Sequence, residues 1–144
     1  MTYAVDVNVL IYAAQEDSPF YARARAAVRN IFDGDELVYV FWPTVMAFLR
    51  ISTHPGVLTQ PLTSEVAMQA VEALIALPNV RTGTEGDGFW RHYVTVTAGQ
   101  SVRGPLVPDA HLVALMRQHG VSTIYTHDRD FRKFDGIRVV DPIA

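Results

Sequence analysis

The strongest constraint on this chain is an alternation between short apolar runs and longer stretches with helical spacing. "YAVD" (3–6), "LVYVF" (37–41), "NVRT" (79–82), "VSTIYT" (121–126) and "IRVV" (137–140) are the strand-like runs. "VNVLIYAA" reads as the start of a helix directly after the first run. In "SPFYARARAAVRNIF", Ala24, Ala27, Val28, Ile31 and Phe32 recur at helical spacing, while Arg23, Arg25 and Arg29 mark a wet side. Ser18 is expected to cap that helix, with Pro19 at its first position. Pro43 is expected to begin a helix through "TVMAFLRIST", and Thr63 or Ser64 to cap "TSEVAMQAVEALIAL". "FWRHYVTVTAGQ" reads as a helix and "GPLVP" as a loop. "DAHLVALMRQHG" reads as a helix opened by Asp109 and closed by Gly120. Strands alternating with helices specify an α/β fold, a three-layer α/β/α sandwich around a mostly parallel sheet. No repeat or linker divides residues 1–144, so one domain is expected.

Composition excludes several function classes. The chain has no cysteine, which removes disulfides and thiolate metal sites and makes the cytosol the natural compartment. No stretch approaches the ~20 apolar residues of a membrane span, and the N-terminus starts on a strand-like run without a signal-peptide core. A net charge of −3 speaks against gripping nucleic acid through bulk positive charge. It does not exclude a nuclease, whose site needs acids to hold metal. Among 12 basic residues Lys133 is the one lysine, the others being arginines suited to bidentate phosphate contacts.

Parallel sheets form their sites beyond the carboxyl ends of the strands, at a topological switch point. Asp6 closes the first strand-like run, Asp128 and Asp130 follow the run from Val121, and Asp109 opens a helix. Four acids from three distant segments are thus expected on one edge. Carboxylates forced together repel and raise one another's pKa unless a cation neutralises them. Hard oxygen ligands suit Mg²⁺ or Mn²⁺. Each acid also has an ordinary use: Asp109 as a helix cap, Asp6 as a turn residue, Asp128 and Asp130 as caps of "DFRKF". Asp17, Asp33, Asp35, Asp87, Asp135 and Asp141 read as solvated turn residues. The five histidines show no paired metal-ligand spacing. His111 and His127, beside the acids, read as surface or helix-packing residues.

Four segments in order carry a family resemblance: "VDVNVLIYA", "WPTVMAFLRIST", "PDAHLVALMRQHG" and "STIYTHDRDFRKF". Together they resemble the PIN domain and, more narrowly, the VapC toxins of VapBC toxin–antitoxin pairs, over almost the whole chain. The resemblance implies a PIN-like fold and a metal-dependent ribonuclease site at the carboxyl edge of the sheet. Its first acid falls on Asp6, its helix-opening acid on Asp109 and its final cluster on Asp128 and Asp130. Asp6, Asp109 and Asp128 are the implied Mg²⁺ or Mn²⁺ ligands, and Asn8 takes a position that often hydrogen-bonds the first acid. Implied products carry 5′-phosphate and 3′-hydroxyl ends. Implied partners are RNA, a VapB-like antitoxin and a second copy in a homodimer, in the cytoplasm and away from membranes.

One position departs from the family pattern. Glu-Phe-Leu-Arg is usual where this chain has "AFLR", so the expected Glu falls on Ala47. No other acid lies between Leu37 and Ser64 to replace it. Two functional readings follow: an endoribonuclease toxin, impaired by Ala47, or a PIN-like module without catalysis that binds antitoxin or RNA. An aspartyl-phosphate phosphatase or receiver is a weaker third, because it needs a strand-end lysine and Lys133 follows the acidic corner.

Overall fold

The computed structural model describes residues 1–144 and contains five strands and six α-helices. Strand β1 (Thr2–Val5) leads into α1 (Val7–Ala14), α2 (Tyr21–Phe32) and β2 (Leu37–Tyr39). Helices α3 (Trp42–Ser52) and α4 (Ser64–Ile75) precede β3 (Val80–Arg81), and α5 (Phe89–Thr97) and α6 (Leu106–Gln118) precede β4 (Thr123–Tyr125). A 3₁₀ turn (Arg129–Lys133) then leads to β5 (Arg138–Val140).

The sheet order is β3-β2-β1-β4-β5, and all four pairings are parallel, which sharpens the expected "mostly parallel" sheet. From β1 the chain winds outward through β2 to β3, then crosses to the other side of β1 to lay down β4. Because parallel crossovers are right-handed, this reversal puts the helices of the two halves on opposite faces. Strand alternation serves both layers. Val5, Val38 and Val80 face one core with Val9, Val45 and Phe48, while Ala4 and Ile124 face the other with Val113, Met116 and Phe131. The reversal lies between β1 and β4, which is where the switch-point rule expects a site.

Two expected helix starts are displaced. Helix α2 begins at Tyr21, because Ser18 and Pro19 are used in a turn: Ser18 Oγ accepts from the Phe20 amide at 3.1 Å, and the Tyr21 amide bonds the Ser18 carbonyl. Helix α6 begins at Leu106, so most of the expected "GPLVP" loop is its first turn and Asp109 lies inside that turn. Pro108 is tolerated there because first-turn amides have no intrahelical partner. Thr63 caps α4 as expected, accepting from the Val66 amide at 3.2 Å, and Gly120 takes the positive φ of 72° that ends α6.

Candidate active site

Asp6 is the first residue beyond β1 and the N-cap of α1, its Oδ1 accepting from the Val7 amide at 2.7 Å. Its own amide bonds the Tyr125 carbonyl at 3.0 Å, which fastens the end of β1 to the end of β4. Beyond β4 the chain cannot continue as a strand, because Asp128 caps the 3₁₀ turn and accepts from the Asp130 amide at 2.9 Å. Phe131, fully buried in the core beneath α6, anchors that turn. The capping use expected for Asp128 is therefore real, Asp6, expected as a turn residue, caps α1, and Asp109, expected as a helix cap, lies within the first turn of α6 behind Pro105.

Asp109, Asp128 and Asp130 each offer a carboxylate oxygen, and these oxygens lie within 4.8 Å of one another. Asp6 stands next to this trio: its charge acts on Asp109, and the charge of Asp128 acts on it. Burial pushes the Asp109 carboxyl up to about 7, and the negative charges of Asp128, Asp6 and Asp130 add to the rise against a small opposing effect from Lys133. Asp6 is also raised, first by burial, while its hydrogen bonds from Thr126 and Val7 hold it down and Asp128 pushes it up. Lys133 sits 3.3 Å from Asp130, where both side chains are exposed. A cluster of this kind is short of positive charge, and an all-oxygen donor set of this size fits a hard divalent cation.

Asn8 is placed differently from expectation. Its amide does not reach Asp6 directly; Nδ2 bonds Thr126 Oγ1 at 3.3 Å, and Oδ1 accepts from the His127 amide at 3.4 Å. Thr126 is the link that sequence reasoning missed. Its fully buried hydroxyl donates to Asp6 Oδ2 at 2.8 Å and accepts from the Asp128 amide at 3.0 Å. The available signal was a hydroxyl residue ending an otherwise apolar run immediately before the acidic corner.

Asp141 was expected to be a solvated turn residue, and it is not. Its Oδ2 holds His127 Nδ1 at 2.8 Å, and its Oδ1 caps the Ile143 amide at 3.0 Å. The turn after β5 ends on the same sheet edge as Asp128, which brings the two side chains together. His111 pairs with Glu85 and lies edge-on against Phe89. Ala47 lies on α3, half-buried, and belongs to neither core cluster.

The family model of the PIN domain matches residues 3–137. Ribonuclease VapC48 of Mycobacterium tuberculosis is 48% identical, the alignment covering 100% of this chain and 99% of that protein. Among solved structures, VapC20 of M. tuberculosis, described as a sarcin-ricin loop cleaving toxin, superposes with a TM-score of 0.68 at 15% identity, covering 94% of this chain and 98% of that one. VapBC2 of Rickettsia felis, bound to a DNA fragment from its promoter, superposes with a TM-score of 0.68 at 9% identity, covering 97% and 98%. The structural likenesses establish the fold, and the full-length sequence match narrows it further. With an all-parallel sheet reversing at β1 and β4 and carboxylates gathered at that reversal, the chain belongs to the PIN domain family and, within it, to the VapC group.

Proposed function

We propose that this protein is a metal-dependent endoribonuclease, the toxin of a type II toxin–antitoxin pair, which hydrolyses RNA phosphodiester bonds at the carboxylate cluster. The observation that carries the reading is the convergence of Asp109, Asp128 and Asp130 at the switch point, with the Asp109 carboxyl raised to about 7. Acids so placed are at odds with one another until a cation joins them.

In this reading Asp6, Asp109 and Asp128 hold Mg²⁺ or Mn²⁺, with Asp130 completing the cluster. When bound, such a cation would lower the pKa of a water and offset charge on the phosphate. The remaining work belongs to the protein. Asp6 is oriented by the Val7 amide on Oδ1 and the Thr126 hydroxyl on Oδ2, each oxygen keeping a further lone pair. Asp128 is held by its capping bond to Asp130 and by its own amide bond to Thr126. These bonds place the ligands before substrate arrives, which is the contribution a rigid shell makes to a metal site. Substrate selection would rest on RNA shape and unpaired loops.

The antitoxin is assigned to an apolar groove between α1, α2, α3 and α4, lined by Leu10, Ala14, Val28, Phe48, Val71 and Leu74 among others. A VapB-like antitoxin would lay an apolar helix there and carry an Arg-bearing tail toward the acids, where opposite charge favours it. A homodimer and a cytoplasmic location complete the proposal; no helix is long and apolar enough to cross a membrane.

Ala47 favours the second reading, a module that binds without cutting. Incubating structured RNA with the protein and Mg²⁺ or Mn²⁺ separates the two. Cleavage that stops with chelator and with Asp109→Asn supports the enzyme. Cleavage insensitive to both overturns the site. No cleavage, together with no Mn²⁺ binding by calorimetry, leaves the module.

A further inference from the structure

The His127 side chain is constrained on every side but one. Its amide is fixed by Asn8 Oδ1 at 3.4 Å, and its Nδ1 by Asp141 Oδ2 at 2.8 Å. Phe20, from the turn before α2, lies against the ring with centroids 4.8 Å apart, and Tyr12 of α1 meets it edge-on at 6.1 Å. Nε2 has no partner within the protein, and about a third of the side chain, 32%, is exposed. The next residue along the chain is Asp128. Three separate segments, α1, the turn before α2 and the turn after β5, thus converge on this residue next to Asp128 and leave a single ring nitrogen free.

The chemistry of that nitrogen follows from the carboxylate on the other. A neutral ring that donates Nδ1–H to Asp141 carries its lone pair at Nε2 and therefore accepts there. An acceptor beside a phosphodiester-hydrolysing site meets one donor that RNA has and DNA lacks, the ribose 2′-hydroxyl. We propose that His127, oriented by Asp141, Phe20 and Tyr12, accepts a hydrogen bond from a ribose 2′-hydroxyl flanking the scissile phosphate and so selects RNA over DNA. The inference rests on the endoribonuclease reading and adds the group of the substrate that is read.

The test uses a hairpin oligoribonucleotide spanning a cleavage site mapped on total RNA, and copies with a single 2′-deoxy substitution at each nucleotide around that site. Both kcat/KM and affinity by fluorescence anisotropy are measured, so that binding is read even where cleavage is slow. With the natural sequence, one deoxy position is expected to cost about 3- to 10-fold. His127→Asn keeps a donor to Asp141 in the place of Nδ1 but has no atom at Nε2. It is expected to keep the melting temperature, to lose the same factor on the all-ribose hairpin, and to show no further loss at that deoxy position. Asp141→Asn keeps a cap for the Ile143 amide but donates to Nδ1, forcing the proton onto Nε2, and is expected to reproduce the loss. His127→Gln, which returns an acceptor near Nε2, is expected to recover part of it. A deoxy penalty of the same size in the natural protein and in His127→Asn, with cleavage intact, overturns this inference alone. Absence of both cleavage and binding for every hairpin overturns it together with the ribonuclease reading.

Discussion

Thr126 and Asp6 stand 120 residues apart in the chain, and the Thr126 hydroxyl donates to Asp6 Oδ2 at 2.8 Å across the junction of β1 and β4. The same hydroxyl receives the Asp128 amide and the Asn8 side-chain amide. One oxygen therefore ties the first acid of the chain to the last acidic corner, at the position where the winding of the sheet reverses. The backbone bond from Asp6 to Tyr125 runs alongside it, so the two strand ends are joined twice.

Thr126→Val keeps the shape and β-branching of this residue while removing the hydroxyl. Asp6 Oδ2 then loses its donor and the Asp128 amide its acceptor, both at part-buried positions. The expected cost is about 1–3 kcal/mol of stability. Mn²⁺ affinity is expected to fall by about 10- to 100-fold, the usual effect of removing an orienting bond behind a ligand. Thr126→Ser should retain most of both. Urea denaturation and calorimetric Mn²⁺ titration check the pair, and unchanged metal affinity in Thr126→Val would show the link to be structural only.

Phe131 carries the 3₁₀ turn, and its replacement tests how far the acids depend on the core. The ring is fully buried among residues of α6 and β4. Phe131→Ala is expected to cost about 3–5 kcal/mol through lost burial and the cavity left behind. Arg129→Ala, on the exposed side of the same turn, is expected to stay within about 0.5 kcal/mol. Chemical denaturation measures the contrast; equal effects would mean that the turn is not anchored by its aromatic residue.

The fold was legible because both faces of the sheet are covered. Apolar strand runs separated by helices leave few arrangements for a chain of this length. The gathering of acids at one edge was legible for the same reason, since Asp6 follows a strand, Asp128 caps the turn after another and Asp109 lies in the first turn of a helix. Details that depend on local bonding were not. Ser18 and Pro19 carry the usual signature of a helix start, yet Ser18 finds its amide partner in a turn and the helix waits until Tyr21. Pro108 suggested a loop, yet a first turn has no use for its missing amide. Thr126 and Asp141 act through partners more than 100 and 14 positions away, respectively, and no spacing rule reaches a contact made only by the sheet.

Asp109 gives the metal-free protein a pH dependence of definite sign. Its carboxyl is raised from 3.8 to about 7 by folding, so the folded state holds a proton that the unfolded chain has already released. Between about pH 4 and about pH 7 the unfolded state binds fewer protons, and this contribution to stability falls as pH rises. Below that window both states are protonated and the penalty is absent; above it the penalty is fully present. The melting temperature in chelator should decline more steeply across the window than it does in Asp109→Asn, and saturating Mn²⁺ should remove the difference. Parallel curves for the two proteins would remove Asp109 from the strained cluster.

Ala47→Glu tests the departure from the family pattern, and its expected effects have opposite signs with and without metal. Ala47 is half-buried on α3 and joins neither core, so a longer side chain there need not displace core residues. The family resemblance assigns that position a metal-site acid. A further carboxylate would add repulsion where burial and then the neighbouring acids already hold Asp109 up to about 7, so the metal-free variant should melt lower than the natural chain. With Mn²⁺ present the added oxygen ligand should reverse the order, tighten metal binding by at least about tenfold and raise RNA cleavage by a similar factor. Differential scanning calorimetry with chelator and with Mn²⁺ reads the stability crossing, and titration reads the affinity. A variant that melts identically under both conditions would place residue 47 away from the acids. The natural chain's site would then depend on Asp6, Asp109, Asp128 and Asp130 alone.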